Sequence, residues 1–110
     1  MAKTIDLEYK GQHYTLEFTR RSIEQMEKQG FIITEVETKP MTTFPVLFAG
    51  AFLAHHPKMR RSQCDEIYAA IKGKDDLLGC LAEMYSEPLE ALMAEPEGDE
   101  GNASWGASWR

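Results

Sequence analysis

The first eighteen residues alternate between polar and apolar positions with the period of two that is typical of β-strands. Two such runs, residues 4–9 and 13–18, are separated by Lys10-Gly11-Gln12, whose glycine suits a tight turn with a positive φ. The positions predicted to face inward are Ile5, Leu7, Tyr9, Tyr14, Leu16 and Phe18. The pattern therefore predicts a β-hairpin, which needs a covering element because an isolated hairpin is marginally stable in water.

A first amphipathic helix is expected next, as the cover for the hairpin. Thr19 is placed to cap its start, and Gly30 is placed to end it in a left-handed conformation. With Gly30 at that position, Phe31 would lie against Met26, which is the contact that a Schellman ending favours. Residues 31–38 then fit either a short third strand or an extended linker, and the pattern leaves both open.

The second predicted helix is the most apolar segment of the chain. Thr43 is expected to cap it, with Pro45 in the first turn, where a missing N–H costs nothing. Ala49-Gly50-Ala51 would keep one side thin enough for a neighbouring backbone to approach closely. Apolar side chains surround nearly the whole circumference, which predicts a position at the centre of the core or partly against another subunit. These side chains are Phe44, Val46, Leu47, Phe48, Phe52 and Leu53.

Two further helices are predicted after the apolar segment. Ser62 with Asp65 resembles a capping box at the start of a third, amphipathic helix that runs to Gly73. Asp75 is expected to cap a fourth helix, which Pro88 either kinks or restarts. The apolar stripe of the fourth helix comprises Leu77, Leu78, Leu81, Met84 and Tyr85, followed by Leu89, Leu92 and Met93.

The chain is thus expected to be one α+β domain, residues 1–95, with an N-terminal hairpin packed on a bundle of about four helices. Residues 96–110 are rich in Gly, Ser and acidic residues and lack periodicity, so they are predicted to form a flexible acidic tail. Ser104-Trp105 recurs there as Ser108-Trp109, and exposed tryptophans are typical anchors for a protein partner. The alternative is an unselected terminus whose tryptophans fold back onto the domain.

Charge and composition narrow the function. With a formal net charge of −6, the chain is poorly suited to general nucleic-acid binding, which relies on Lys and Arg neutralising phosphates, and a basic partner is more natural. The N-terminus lacks a secretory signal, and residues 44–54 are too short to cross a bilayer, which needs roughly 20 apolar residues. Cys64 and Cys80 fall on predicted helical faces and are expected to be reduced, buried thiols.

No set of residues indicates catalysis, a cofactor or a metal site. His55 and His56 are adjacent and would point about 100° apart on a helix, and neither they nor His13 have a Cys or carboxylate at a zinc-ligand spacing. The carboxylates fall at helix starts and on polar faces, and no glycine-rich phosphate loop is present. The basic residues Arg20, Arg21, Lys58, Arg60 and Arg61 are interpreted as ordinary solvated charges, and the alternative is that they contact an acidic tail or partner. The sequence therefore favours a binding protein over an enzyme.

Several runs of residues resemble a known protein family. They are residues 14–31 (YTLEFTRRSIEQMEKQGF), Lys39-Pro40-Met41, Leu47-Phe48-Ala49-Gly50-Ala51-Phe52, Glu66-Ile67-Tyr68, Glu83-Met84-Tyr85 and the Ser-Trp tail. On these runs, which extend across almost the whole chain, the sequence resembles the small tail assembly chaperones of long-tailed, siphovirus-type phages and prophages of Gram-positive bacteria.

The resemblance implies a non-enzymatic protein of the host cytoplasm that coats the aggregation-prone tape measure protein, helps recruit tail tube subunits and is absent from the mature virion. It also implies self-association into a homo-oligomer and a longer form made by translational frameshifting. No nucleic acid, membrane, cofactor or metal is expected among its partners. The residues predicted to contact a partner lie on the second helix, the fourth helix and the tail, and they are Phe44, Phe48, Phe52, Tyr85, Trp105 and Trp109.

Two other function classes stay open at this point. A small acidic inhibitor or adaptor would present carboxylates in place of phosphates to a basic partner, but it needs one continuous acidic face, which the five basic residues interrupt. An enzyme with an unrecognised site would need the histidines and carboxylates to converge in a cleft.

Overall fold

Two antiparallel strands and four α-helices make up the fold of the residues that this computed structural model describes, which are 3–94 and 106–108. In chain order they are β1 (Ile5–Tyr9), β2 (Gln12–Leu16), α1 (Arg20–Lys28), α2 (Pro40–Gly50), α3 (Arg61–Ala70) and α4 (Lys74–Met93), with a short 3-10 helix at Ile33–Val36 between α1 and α2. The predicted α+β class, an N-terminal hairpin with a bundle of helices, is confirmed. Most of the predicted tail, residues 96–110, lies outside the described residues.

The hairpin has the strand pairing and the turn that the alternating pattern predicts. β1 and β2 pair along their full length, so that Ile5 lies opposite Leu16. The two turn residues both have a positive φ, 50° at Lys10 and 78° at Gly11, as in the type I′ turns that match the twist of paired strands. Leu16 is fully buried, and the inward side chains of β1 pack against the helices.

Local hydrogen bonds define both ends of α1. Thr19 and Ser22 cap each other reciprocally: Thr19 Oγ1 accepts from the Ser22 N–H at 3.1 Å, and Ser22 Oγ accepts from the Thr19 N–H at 2.9 Å. At the other end Gly30 has a φ of 95°, and the Phe31 N–H donates to the Met26 carbonyl at 3.0 Å, which is the long bond of a Schellman motif. The predicted cap and the predicted ending of this helix are confirmed.

The segment that leads into α2 differs from both structures that the pattern left open. Residues Ile33–Val36 form a 3-10 helix instead of a strand or an extended linker. Lys39 is the N-cap of α2, and Pro40 occupies the first helical position, where its fixed φ is favourable. The prediction that Thr43 caps this helix is therefore wrong, since its side chain is buried and donates to a backbone carbonyl at 3.4 Å. Pro45 accordingly lies inside the helix, past the first turn.

The start of α3 also lies earlier than predicted. The helix is capped at Arg60, whose N–H donates to Gln63 Oε1 at 2.9 Å, so the expected capping box of Ser62 and Asp65 is wrong. Asp65 instead forms a pair one turn apart with Arg61, with 3.0 Å between Oδ1 and Nε. Such exposed pairs contribute about 0.3–0.5 kcal/mol to a helix, so the helix start depends mainly on the Gln63 bond and on tertiary packing.

The long helix α4 begins at a glycine and passes through a proline. Gly73 precedes it with a φ of 72°. The prediction that Asp75 caps the helix is wrong, since Asp75 lies in its first turn. A carboxylate in this position is still favourable because of the helix dipole. Pro88 does not restart the helix, since α4 continues as one helix to Met93.

The core centres on α2, as the distribution of its apolar residues predicts. Phe48 and Phe52 are each 1% exposed, and their rings meet edge to face with centroids 5.2 Å apart. The side of α2 that carries Gly50 was predicted to lie against a neighbouring backbone, but it packs against the side chain of Met26. A methyl group on Gly50 would overlap this side chain. The buried apolar side chains are Leu16, Phe18, Met26, Phe31, Leu47, Phe48, Ala51, Phe52, Cys64, Ile67, Leu81, Met84 and Tyr85.

The two cysteines differ in their surroundings. Cys64 is 2% exposed, as predicted, and burial raises the pKa of its thiol. Cys80 is exposed, so the prediction that both thiols are buried is wrong for this residue. Its neighbour Leu81 takes the inward position on α4, and successive helical residues point about 100° apart.

Candidate partner-binding surface

Two of the three histidines attach the hairpin to the chain that follows α2. His56 Nε2 accepts from the Thr15 backbone N–H at 3.1 Å, which requires this ring nitrogen to carry no proton. His55 Nε2 lies 2.7 Å from Glu17 Oε1. His13 is exposed on β2. Within residues 3–94 and 106–108, no three His, Cys, Asp or Glu side chains are grouped so that they could hold a metal ion.

The side chains predicted to contact a partner are not gathered on one surface. They are Phe44, Phe48, Phe52, Tyr85, Trp105 and Trp109. Phe48 and Phe52 are 1% exposed and Tyr85 is 6% exposed, because their apolar area fills the core. In this conformation a partner reaches Phe48 and Phe52 only if the core opens, and it can touch only the small exposed part of Tyr85. Phe44 is partly exposed, and both tryptophans lie outside the described residues.

The last two turns of α4 expose apolar side chains that the sequence placed on the apolar stripe but did not single out. Leu89 is 57% exposed, Leu92 is 50% exposed and Met93 is 75% exposed. Single exposed apolar residues are ordinary, but three within five positions of one helix form a patch. One feature of the sequence could have indicated this exposure. The apolar stripe of the fourth helix continues past Tyr85, although the segment that follows the helix is polar.

A shallow groove lies between this end of α4 and α1, and we call it the α1–α4 groove. Its apolar lining consists of Ile23, Ile33, Tyr85, Pro88, Leu89 and Leu92. The groove holds a cavity of about 220 Å³, which is below the roughly 300–1,000 Å³ of pockets for drug-sized ligands. It therefore suits the side chains of a docked protein segment better than a whole small molecule.

Tyr85 forms the buried floor of the groove. Its ring meets those of Phe18 and Phe31 edge to face, with centroids 5.3 Å and 5.6 Å apart. Burial raises the pKa of the Tyr85 phenol, and the nearby Glu27 carboxylate raises it further. The phenol therefore stays neutral at ordinary pH, and the aromatic contacts hold the floor in place.

The rim of the groove is mainly acidic. On α1 it carries Arg20, Glu24 and Glu27, and the Arg20 Nε lies 3.6 Å from Glu24 Oε1. Glu87 lines the adjoining depression on the other side of Pro88. The Arg20 cation is thus offset by Glu24, and the rim of the groove on the α1 side carries a net negative charge.

A second row of carboxylates follows the outer edge of α4. The Lys3 ammonium donates to Glu83 Oε1 at 2.8 Å, which raises the pKa of Lys3 and lowers that of Glu83. Glu87 and Glu90 raise the pKa of Lys3 further, so both lie close enough to act on it. One lysine therefore faces three carboxylates along this edge.

None of the helices between residues 3 and 94 combines the length and the apolar character needed to cross a bilayer. A family model described as "Domain of unknown function (DUF5055)" matches residues 1–109. No curated protein and no solved structure matches the chain. The match covers nearly the whole sequence, and the chain belongs to this family.

Proposed function

We propose that this member of the DUF5055 family is a non-enzymatic tail assembly chaperone of long-tailed phages or prophages, which binds the tape measure protein and keeps it soluble. The resemblance of the sequence supports this function, and the observation that carries it furthest is the α1–α4 groove. An exposed apolar groove between two helices is a common docking site for an amphipathic helix, and the tape measure protein is expected to be largely helical.

The distribution of apolar area over the molecule fits a holding function. The core already buries Phe48 and Phe52, so the exposed side chains at the end of α4 are not needed to complete it. A groove that covers only about two helical turns gives a weak contact, and weak contacts become effective when many copies bind along one extended partner.

The proposal extends to the setting of the complex. The chaperone is made in the host cytoplasm, recruits tail tube subunits to the coated tape measure protein, and is absent from the mature virion. It self-associates along its partner, and a longer frameshifted form accompanies it. No nucleic acid, membrane, cofactor or metal takes part in this activity.

Co-expression with the tape measure protein of the same phage tests the proposal. The measurements are the soluble yield of the tape measure protein and the mass of any complex by light scattering. We expect soluble complexes that contain several copies of this chain. Precipitation of the tape measure protein, with this chain remaining alone in solution, would contradict the proposed function.

Surface variants show whether the groove is the binding element. Leu89→Ser combined with Leu92→Ser should abolish the soluble complex, because it removes exposed apolar area without touching the core. Met41→Ser is the matched control, since Met41 is 90% exposed on the first turn of α2, away from the groove. The double variant Trp105→Ala, Trp109→Ala measures how much the predicted tail contributes.

A small acidic inhibitor is the second candidate, and the carboxylate row of Glu83, Glu87 and Glu90 favours it. Such an inhibitor would bind a basic partner through charge alone. Its binding would be lost at high salt and would not change in the Leu89→Ser, Leu92→Ser variant. Dependence on the two leucines therefore separates the chaperone from the inhibitor.

A further inference from the structure

We infer that the α1–α4 groove selects an amphipathic helix whose apolar face is flanked by lysine or arginine residues. The inference rests on the proposed function and deepens it, because it names the chemistry of the segment that is bound. It follows from the shape of the apolar lining and from the sign of the charge on the α1 rim.

The apolar lining has the spacing of a helix-binding surface. On α4 it comes from Tyr85, Pro88, Leu89 and Leu92. The last three lie three, four and seven residues after Tyr85, so all four share one face of the helix. This stripe is about 10 Å long at the rise of an α-helix, so it can hold about two turns of a partner helix. An amphipathic helix presents the matching pattern of anchors at the same spacing.

The rim of the groove determines the charge of the partner. Glu24 and Glu27 stand on the α1 side, whereas the Arg20 guanidinium is held near Glu24. A docked helix places the residues that flank its apolar face on that side directly over this rim. Cationic flanks therefore meet carboxylates there, and acidic flanks meet like charges.

The same charges argue against occupants from this chain. Four acidic residues follow α4 directly in the sequence, Glu95, Glu97, Asp99 and Glu100, and they would add negative charge to an acidic rim. A second copy that docked its own groove against this one would bring two acidic rims together. A basic amphipathic segment of another protein is the occupant that the charges favour.

Two designed peptides test the inference on the full chain. Both have about 18 residues, or five helical turns, with the same leucine face, and the flanking positions are lysine in one and glutamate in the other. Binding is measured by fluorescence anisotropy at low and at physiological salt. We expect the lysine peptide to bind at least tenfold more tightly than the glutamate peptide, and the preference to shrink as salt rises.

Variants of the groove connect this preference to the structure. Leu92→Ser should weaken binding of the lysine peptide at least tenfold, and Met41→Ser should leave it unchanged. The double variant Glu24→Lys, Glu27→Lys should reverse the preference in favour of the glutamate peptide. Circular dichroism confirms that each variant is folded, since all four positions are exposed or partly exposed.

Equal binding of both peptides, or binding that Leu92→Ser leaves intact, would overturn the inference. So would a tenfold gain in affinity for the lysine peptide in the Trp105→Ala, Trp109→Ala variant, because the tail would then be the occupant of the groove. This readout is independent of the tape measure protein. If the co-expression fails but the lysine peptide is clearly preferred, the proposed function alone is rejected. If the co-expression succeeds but the lysine peptide is not preferred, the charge selectivity alone is rejected.

Discussion

Replacing Gly50 with alanine is expected to destabilise the protein, whereas the same replacement at Gly79 is expected to stabilise it. Both glycines lie within α-helices, Gly50 at the end of α2 and Gly79 in the first half of α4. A methyl group at Gly79 meets no atom within 4 Å, but a methyl group at Gly50 overlaps the buried side chain of Met26. The two substitutions are chemically identical and differ only in what surrounds the new group.

The magnitudes follow from two opposing effects. Alanine is favoured over glycine in a helix by about 0.5–1 kcal/mol, which is the whole expected effect at Gly79. At Gly50 this gain is opposed by the displacement of Met26, and forcing a methyl group into a packed core costs about 1–3 kcal/mol. Gly50→Ala should therefore lower the free energy of unfolding by about 1 kcal/mol, and the two variants should differ by about 2 kcal/mol.

Urea denaturation followed by circular dichroism measures both free energies of unfolding. In a Met26→Ala background the destabilising effect of Gly50→Ala should disappear, because the side chain that it displaces has been shortened. Stabilisation of the protein by Gly50→Ala to the same degree as by Gly79→Ala would refute the close approach of α1 and α2. Persistence of the cost without Met26 would place its origin elsewhere.

Three further results are expected. The exposed thiol of Cys80 should react quickly with Ellman's reagent in the native protein, whereas Cys64 should react only on unfolding, because its thiol is buried and has a raised pKa. The free energy of unfolding should fall as pH rises above about 9, because the raised pKa values of Cys64 and Tyr85 keep both groups protonated in the folded chain while the unfolded chain loses these protons. A series of thermal melts across alkaline pH measures this fall. His56→Ala should lower the free energy of unfolding by about 1–3 kcal/mol through loss of the acceptor for a strand N–H, and His13→Ala, on the exposed side of the hairpin, should change it by less than about 0.5 kcal/mol in the same denaturation assay.

The features that the sequence predicted well depend on interactions within a few residues. Gly11 marks the turn of the hairpin, and Thr19 and Gly30 mark the two ends of α1, each through backbone geometry or a bond to a near neighbour. The start of α2 was harder, because Pro40 and Thr43 are both suitable at a helix N-terminus. Only the packing of Thr43 against the 3-10 helix decides between them.

The candidate surface was predicted less well because exposure depends on which elements cover each other. Phe48 and Leu92 are both apolar residues on predicted helical stripes, and the pattern around them does not show that Phe48 is buried and Leu92 is half exposed. The difference arises because α1, the 3-10 helix, α3 and α4 all pack on α2, whereas the chain offers no comparable cover for the end of α4 within the described residues. On the fourth helix the sequence analysis therefore named an inward residue, Tyr85, and did not name the exposed Leu89 and Leu92.

The attachment of the hairpin by His56 bears on how the chain folds during synthesis. The Thr15 N–H and its acceptor are 41 residues apart in the sequence, and the Glu17 N–H bonds to the carbonyl of Ala51 at 3.0 Å across a similar distance. Closing loops of this length requires both ends to have left the ribosome. A nascent chain that has not yet reached His56 can form the hairpin turn and the caps of α1, but it cannot secure them. Its aromatic residues are then accessible to proteases and to general chaperones, until the segment after α2, residues 51–56, has emerged and bonds to the second strand and the residue that follows it.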